Sequence, residues 1–177
     1  AALAPPRLVA ALSRRPARLL AHAGPEGGAP LLERVEGRVR TALGPLDRLP
    51  RRRLRALARA ARRGALEVAV AIGARCAARR RATLPAAAER DLDQVVALDI
   101  DRLTPFAPAE VFVFSEIAGR EPERGAIAVD LLFAPRASVA RALEALEAAG
   151  FPAAGVLLEE DALRDDRRRL MRPPGAA

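Results

Sequence analysis

The sequence predicts an α/β fold, with helices layered on a mixed sheet. Three observations lead there. From residue 65 onward, short apolar runs of period two alternate with stretches of helical period in the order β-β-α-β-β-α-β, the order of an α+β or α/β layer. Half of the 177 residues are apolar (51%), enough for a core, but aromatics are only 3%, all Phe, so Ala, Leu and Val must fill it. One Cys and one His cannot supply the roughly four N or S ligands of a zinc site, and a single Cys forms no disulfide within the chain.

Residues 1–64 read as an Arg- and Ala-rich, helical and partly disordered region. Pro5, Pro6, Pro16, Pro25, Gly27, Gly28 and Pro30 punctuate its start, which implies loose order. Residues 31–43 carry Leu31, Leu32, Val35, Val39 and Leu43 at helical spacing, ended by Gly44-Pro45. A second helix is expected over residues 49–63, with Leu54, Leu57 and Ala61 on one face and Gly64 after it. No opening β-hairpin is visible in this half.

Residues 65–160 form the predicted mixed α/β module. Residues 67–72 (EVAVAI) suit a strand, and residues 75–84 suit its neighbour despite three successive Arg. Pro85 opens a helix whose stripe is Leu92, Val95, Val96, Ile100 and Leu103, and Thr104-Pro105 ends it. The next strand, residues 110–117, places Val111, Val113 and Ile117 opposite Phe112 and Phe114. A polar loop over 119–125 joins it to residues 126–133, where Ile127, Val129, Leu131 and Phe133 share a face. A helix over 138–149 follows, with Val139, Ala142, Leu143 and Leu146 inward and Gly150 as cap, then a strand around Gly155-Val156-Leu157-Leu158. Residues 161–177 read as a frayed helix and a polar tail.

Charge is divided along the chain. Residues 1–81 hold 19 Arg against 5 acids, net +14, and residues 82–177 hold 11 Arg against 17 acids, net −6, which together give the net +8. An electrostatic seam, a polyanionic partner, a membrane-facing surface or simply the Arg-for-Lys usage of a GC-rich genome accounts for this; the chain has no Lys, Tyr, Trp or Asn. Without Lys there is no Walker-type phosphate loop and no Schiff base. No apolar run reaches the ~18 residues of a membrane span. No cofactor and no metal are expected. Asp91, Asp93, Asp99 and Asp101 lack the ligand spacing of a metal loop and read as solubilising charges. His22 has no nucleophile elbow among the serines, and Cys76 reads as a bystander despite neighbouring Arg.

Residues 84–114, LPAAAERDLDQVVALDIDRLTPFAPAEVFVF, carry a recognisable series of motifs. Leu84-Pro85 is followed by a helix bearing Leu92, Val96, Asp99 and Arg102, then Thr104-Pro105-Phe106 and the strand Glu110-Val111-Phe112. Ala134-Pro135-Arg136 and Ala149-Gly150-Phe151 come later. In this the chain resembles the cytoplasmic module of the PilN/GspL group, inner-membrane platform proteins of type IV pilus (fimbrial) assembly and type II secretion, over roughly residues 74–158. The resemblance implies part of an actin-like (ribonuclease H-like) domain, non-enzymatic, that acts as a scaffold at the cytoplasmic face of the inner membrane. The partners it implies are other platform proteins and the cytoplasmic motor ATPase, with a homodimer also open. Family members continue into one transmembrane helix and a periplasmic ferredoxin-like domain, which this sequence lacks, so it reads as either a truncated stretch or a divergent soluble remnant; an apolar span of about 20 residues shortly after Ala177 would confirm the platform reading.

Two sets of candidate site residues follow. Asp99, Arg102, Thr104, Pro105, Phe106 and Phe112 form the partner-docking set. Phe106 is either an apolar anchor of an interface or the cap of the core behind a helix stop. Asp99 and Arg102 are either an inter-subunit salt bridge or a solvated local pair. Arg51, Arg52, Arg53, Arg55, Arg59, Arg62 and Arg63 form a basic patch suited to anionic lipid head groups. A basic nucleic-acid-binding module using these Arg helices is the alternative function. Residues 1–81 lack stacking aromatics, which disfavours it.

Overall fold

The computed structural model describes residues 16–22, 28–152, 154–164 and 169–175. The loose order expected for residues 1–15 and for the loop around 24–27 therefore lies outside the described residues, as do residues 165–168 of the tail.

Among the described residues, eight strands form two sheets. The larger contains β1 (Ala17–His22), β2 (Leu31–Glu36), β3 (Val39–Pro45), β4 (Leu66–Ile72) and β8 (Gly155–Leu158), in the order β3-β2-β1-β4-β8. β1 pairs antiparallel with β2 and parallel with β4; β2–β3 is antiparallel and β4–β8 parallel. The smaller, wholly antiparallel sheet contains β5 (Ala78–Pro85), β6 (Val111–Glu121) and β7 (Ala126–Pro135), with β7 central. Among the described residues, five helices accompany them: α1 (Arg51–Arg62), α2 (Leu92–Leu98), α3 (Ile100–Leu103), α4 (Ala140–Ala148) and α5 (Glu159–Leu163). From residue 66 the element order is the expected β-β-α-β-β-α-β, divided between two sheets rather than laid in one.

The first third differs from its sequence reading. Residues 31–43 form the β2–β3 hairpin, turned at Gly37 with φ 59°, not a helix. Leu32 and Val35 mimic helical spacing because each is buried on a different face of the sheet, in a different core. Residues 17–22, expected to be loosely ordered, are the central strand of the larger sheet. Arg18 interrupts its apolar run yet is 1% exposed, and its Nε donates to Glu67 Oε2 at 2.9 Å on the neighbouring strand. The boundary expected at residue 64/65 thus falls inside one continuous sheet.

α1 matches its expectation. Ala58 and Ala61 are buried, and Leu54 and Leu57 pack beside them on the main core. Its end is a Schellman-type stop: Gly64 takes φ 72°, and the Ala65 amide donates back to the Ala60 carbonyl. The helix expected after Pro85 is broken instead. A 3₁₀ turn over Ala86–Asp91 precedes α2, and Asp99 (φ −104°, ψ 15°) separates α2 from α3.

Both faces of β1 and β4 are covered. Leu19, Ala21, Val68 and Val70 join the main core beneath α1 and α4, while Leu20 and Ala69 meet Leu157 and Ala162 on the other side. In the smaller sheet, Val111, Ile127, Val129, Leu131 and Phe133 pack under α2 and α3, and Phe112, Leu132 and Ala134 reach the main core, as the alternation predicts.

The polar tail is corrected in part. Met171 is fully buried, exchanging two backbone hydrogen bonds with Val156, while Arg172 exchanges two with Val113. Residues 170–172 therefore tie the edge of the larger sheet to β6 of the smaller one. No described helix is long and apolar enough to cross a membrane.

Candidate docking site

The end of β7 and the helix after it build a groove beside the main core. Pro135 stops β7 from continuing, a 3₁₀ turn over Arg136–Ser138 follows, and α4 then runs back across the larger sheet. α4 buries Ala142 and Leu146, which leaves Leu143 half-buried and Glu144 and Glu147 exposed. Opposite stand Phe106, Ala109 and Glu110, from the segment joining α3 to β6. Together these residues enclose a groove of about 650 Å³. Arg136, Leu143 and Glu147 also line a second hollow of about 280 Å³, floored by Phe112, Phe151, Pro152 and Pro173. The two hollows adjoin along α4, sharing Arg136, Leu143 and Glu147.

The members of the docking set take different roles. Phe106 caps the smaller core, its ring meeting Phe133 edge-on at 6.2 Å, and its remaining surface lines the groove. Phe112 is buried, with the Arg136 guanidinium 5.3 Å above its ring, and forms part of the floor. Thr104 is a structural stop: its buried hydroxyl donates to the Ile100 carbonyl at 2.9 Å and accepts from the Phe106 amide at 3.3 Å. Pro105 is exposed next to it. Asp99 and Arg102 do not line the groove, and their closest approach is 3.9 Å with Arg102 80% exposed, so they form a solvated local pair.

Several lining residues were not selected from the sequence. Leu143 was assigned wholly to the core, and Glu110, Glu144 and Glu147 were not singled out as a rim. A signal for two others existed: the motifs Ala134-Pro135-Arg136 and Ala149-Gly150-Phe151 carried the family resemblance without a role, and both border this groove. The rim is acidic, with Glu110, Glu144 and Glu147 against the single Arg136. Glu110 is held in place by the Ala107 amide, which donates to its Oε2 at 3.1 Å.

The seven Arg of the basic set are all exposed along α1 and its C-cap. Arg62 donates twice to the Gly150 carbonyl, at 2.8 and 3.1 Å, which anchors the end of α1 to the turn after α4. Elsewhere, some of the charge is paired locally. Hydrogen bonds from Arg81 hold the Asp130 carboxyl below the usual carboxylate range, and those from Arg120 do the same for Glu89. Arg40 lowers Glu33 in the same way and also donates to the Ala162 carbonyl, linking β3 to α5.

No family model and no curated protein matches the sequence. Among solved structures, a PilM-PilN type IV pilus biogenesis complex is similar at 21% identity and a TM-score of 0.48, covering 84% of this chain. The cytoplasmic domain of EpsL, an inner membrane component of the type II secretion system of Vibrio cholerae, is similar at 16% identity and a TM-score of 0.45, covering 80% of this chain. The chain spans 48% of the first of those chains and 56% of the second, about half their lengths.

Proposed function

We infer that this chain is a non-catalytic platform component of a type IV pilus or type II secretion machine, working by protein–protein docking on the cytoplasmic side of the inner membrane. The observation that carries this reading is the pair of adjoining hollows along α4, whose linings include Phe106, Phe112, Pro135, Arg136 and Phe151 of the family-like motifs. Aromatic and aliphatic anchors seated in such hollows contribute most of the energy of a protein interface. The acidic rim sets the occupant's chemistry: a short apolar segment flanked by Arg or Lys, contributed by another platform subunit or by the motor ATPase. Rim charges of this kind act mainly on association rate and partner choice.

Calorimetry of the full chain with the cytoplasmic portions of the platform proteins and motor ATPase of the same organism tests this. One of them binds, and Leu143→Glu, which puts a carboxylate into the groove at a half-buried position, weakens binding at least tenfold. No binding by any of them, binding unaffected by Leu143→Glu, or nucleotide turnover by the purified chain would contradict the reading.

A further inference from the structure

α1 carries a second surface that the docking groove does not use. At 100° per residue, Arg51, Arg52, Arg55, Arg59, Arg62 and Arg63 fall within an arc of about 120°, in a stripe about 18 Å long. The opposite side of the helix, Leu54, Leu57, Ala58 and Ala61, is packed into the main core. Among the described residues, none of the seven Arg of this segment forms an ion pair, and the first turn of the helix holds no acid. This contrasts with Arg79, Arg81, Arg120 and Arg169, each of which meets a carboxylate at 2.6–3.0 Å. Charges gathered on one helix face without counter-charges of their own call for an anion from outside the chain.

We propose that α1 lies side-on against an anionic lipid bilayer, its arginines contacting the head groups. The geometry selects this occupant. A straight stripe meets a planar array of phosphates along its whole length, whereas the phosphates of a nucleic-acid duplex wind away from it. Because the apolar side of α1 is already buried, contact is electrostatic and superficial, without insertion into the acyl region. This surface stands independently of the groove along α4, and either can fail without the other.

Flotation of the full chain with vesicles of phosphatidylserine and phosphatidylcholine, against phosphatidylcholine alone, tests the proposal. Binding requires phosphatidylserine and is released by high salt. The variant Arg52→Gln/Arg55→Gln/Arg59→Gln binds at least tenfold more weakly, at about fivefold per arginine when the losses are partly additive. The variant Arg90→Gln/Arg124→Gln/Arg141→Gln removes the same charge from exposed sites elsewhere and keeps binding within about twofold; circular dichroism of both variants matches the parent. Equal losses in the two variants would reduce the effect to net charge and overturn the proposal. So would salt-resistant binding, tighter binding to a labelled DNA duplex at the same salt, or self-association that α1 substitution abolishes while vesicle binding persists.

Discussion

The two sheets solve burial in different ways. In the larger sheet β1 and β4 are dry on both faces, so successive residues such as Leu19 and Leu20 are both fully buried, in separate cores. The smaller sheet is dry on one face along its central strand β7 and on the other only near the main core. Along β7, Leu132 and Ala134 are buried on that second face, whereas Ala128 and Asp130 are half-exposed. There Arg81, Asp130 and Glu116 stand in register across three strands, with Arg169 reaching Glu116. The first sheet behaves as a scaffold interior and the second as a wall with a wet side, and the docking groove forms where the wall's dry end meets α4.

Substitutions on β1 give the largest expected effect. Leu19→Ala and Leu20→Ala, on opposite faces, each destabilise by about 2–5 kcal/mol, since each deletes buried methyl groups and leaves a cavity. On β7, Leu131→Ala falls in the same range, but Asp130→Asn next to it leaves the urea midpoint unchanged because its ion pair is solvated. Denaturation of these four variants checks the contrast; a neutral Leu20→Ala would show that the second face of the larger sheet is not closed.

The link between the sheets comes next. A Cβ at Gly155 would lie 2.6 Å from Leu170 Cδ1, so Gly155→Val must displace the Leu170 side chain and strain the segment that carries it. The cost is about 1–3 kcal/mol, and the amides of Met171, Val156, Val113 and Arg172 exchange faster with deuterium. Unchanged exchange there would mean that this short segment does not couple the sheets.

A smaller effect depends on pH. Glu33 has its pKa lowered from 4.5, first by the hydrogen bonds from Arg40, then also by His22, against an opposing rise from burial. A carboxylate of depressed pKa stabilises the fold fully above its unfolded value and loses that contribution as pH falls through its folded value. Thermal melts should therefore separate the parent from Glu33→Gln near neutral pH, and the gap should close below pH 4.5. A gap that persists in acid would refute the ion-pair origin.

The same contrast explains which parts were readable in the sequence. The smaller sheet was legible because one face is wet or partly so: Ile127, Val129, Leu131 and Phe133 alternate with smaller or polar neighbours, and the period shows. β1 and β2 were not, because burial on both faces erases the alternation. It turned Leu32 and Val35 into a false helical repeat, and Arg18 disguised a central strand whose charge meets Glu67, 49 positions away. α1 and α4 were legible through apolar stripes and glycine stops. The role of residues 170–172 was hidden because backbone bonds to two distant strands leave no trace in side-chain pattern. Of the candidate site, the aromatic anchors were visible as motifs, but the groove needs Leu143 and Glu147 of α4 facing Phe106 across the fold, a juxtaposition that only the tertiary structure creates.

The central claim is that partners seat along α4. Hydrogen–deuterium exchange of the full chain, alone and saturated with the platform protein that binds it, measures this directly. The account predicts slowed exchange in residues 106–112 and 135–151, with α1 and β5 unchanged. Protection confined to α1 or β5, with the α4 groove exchanging as in the free chain, would contradict it.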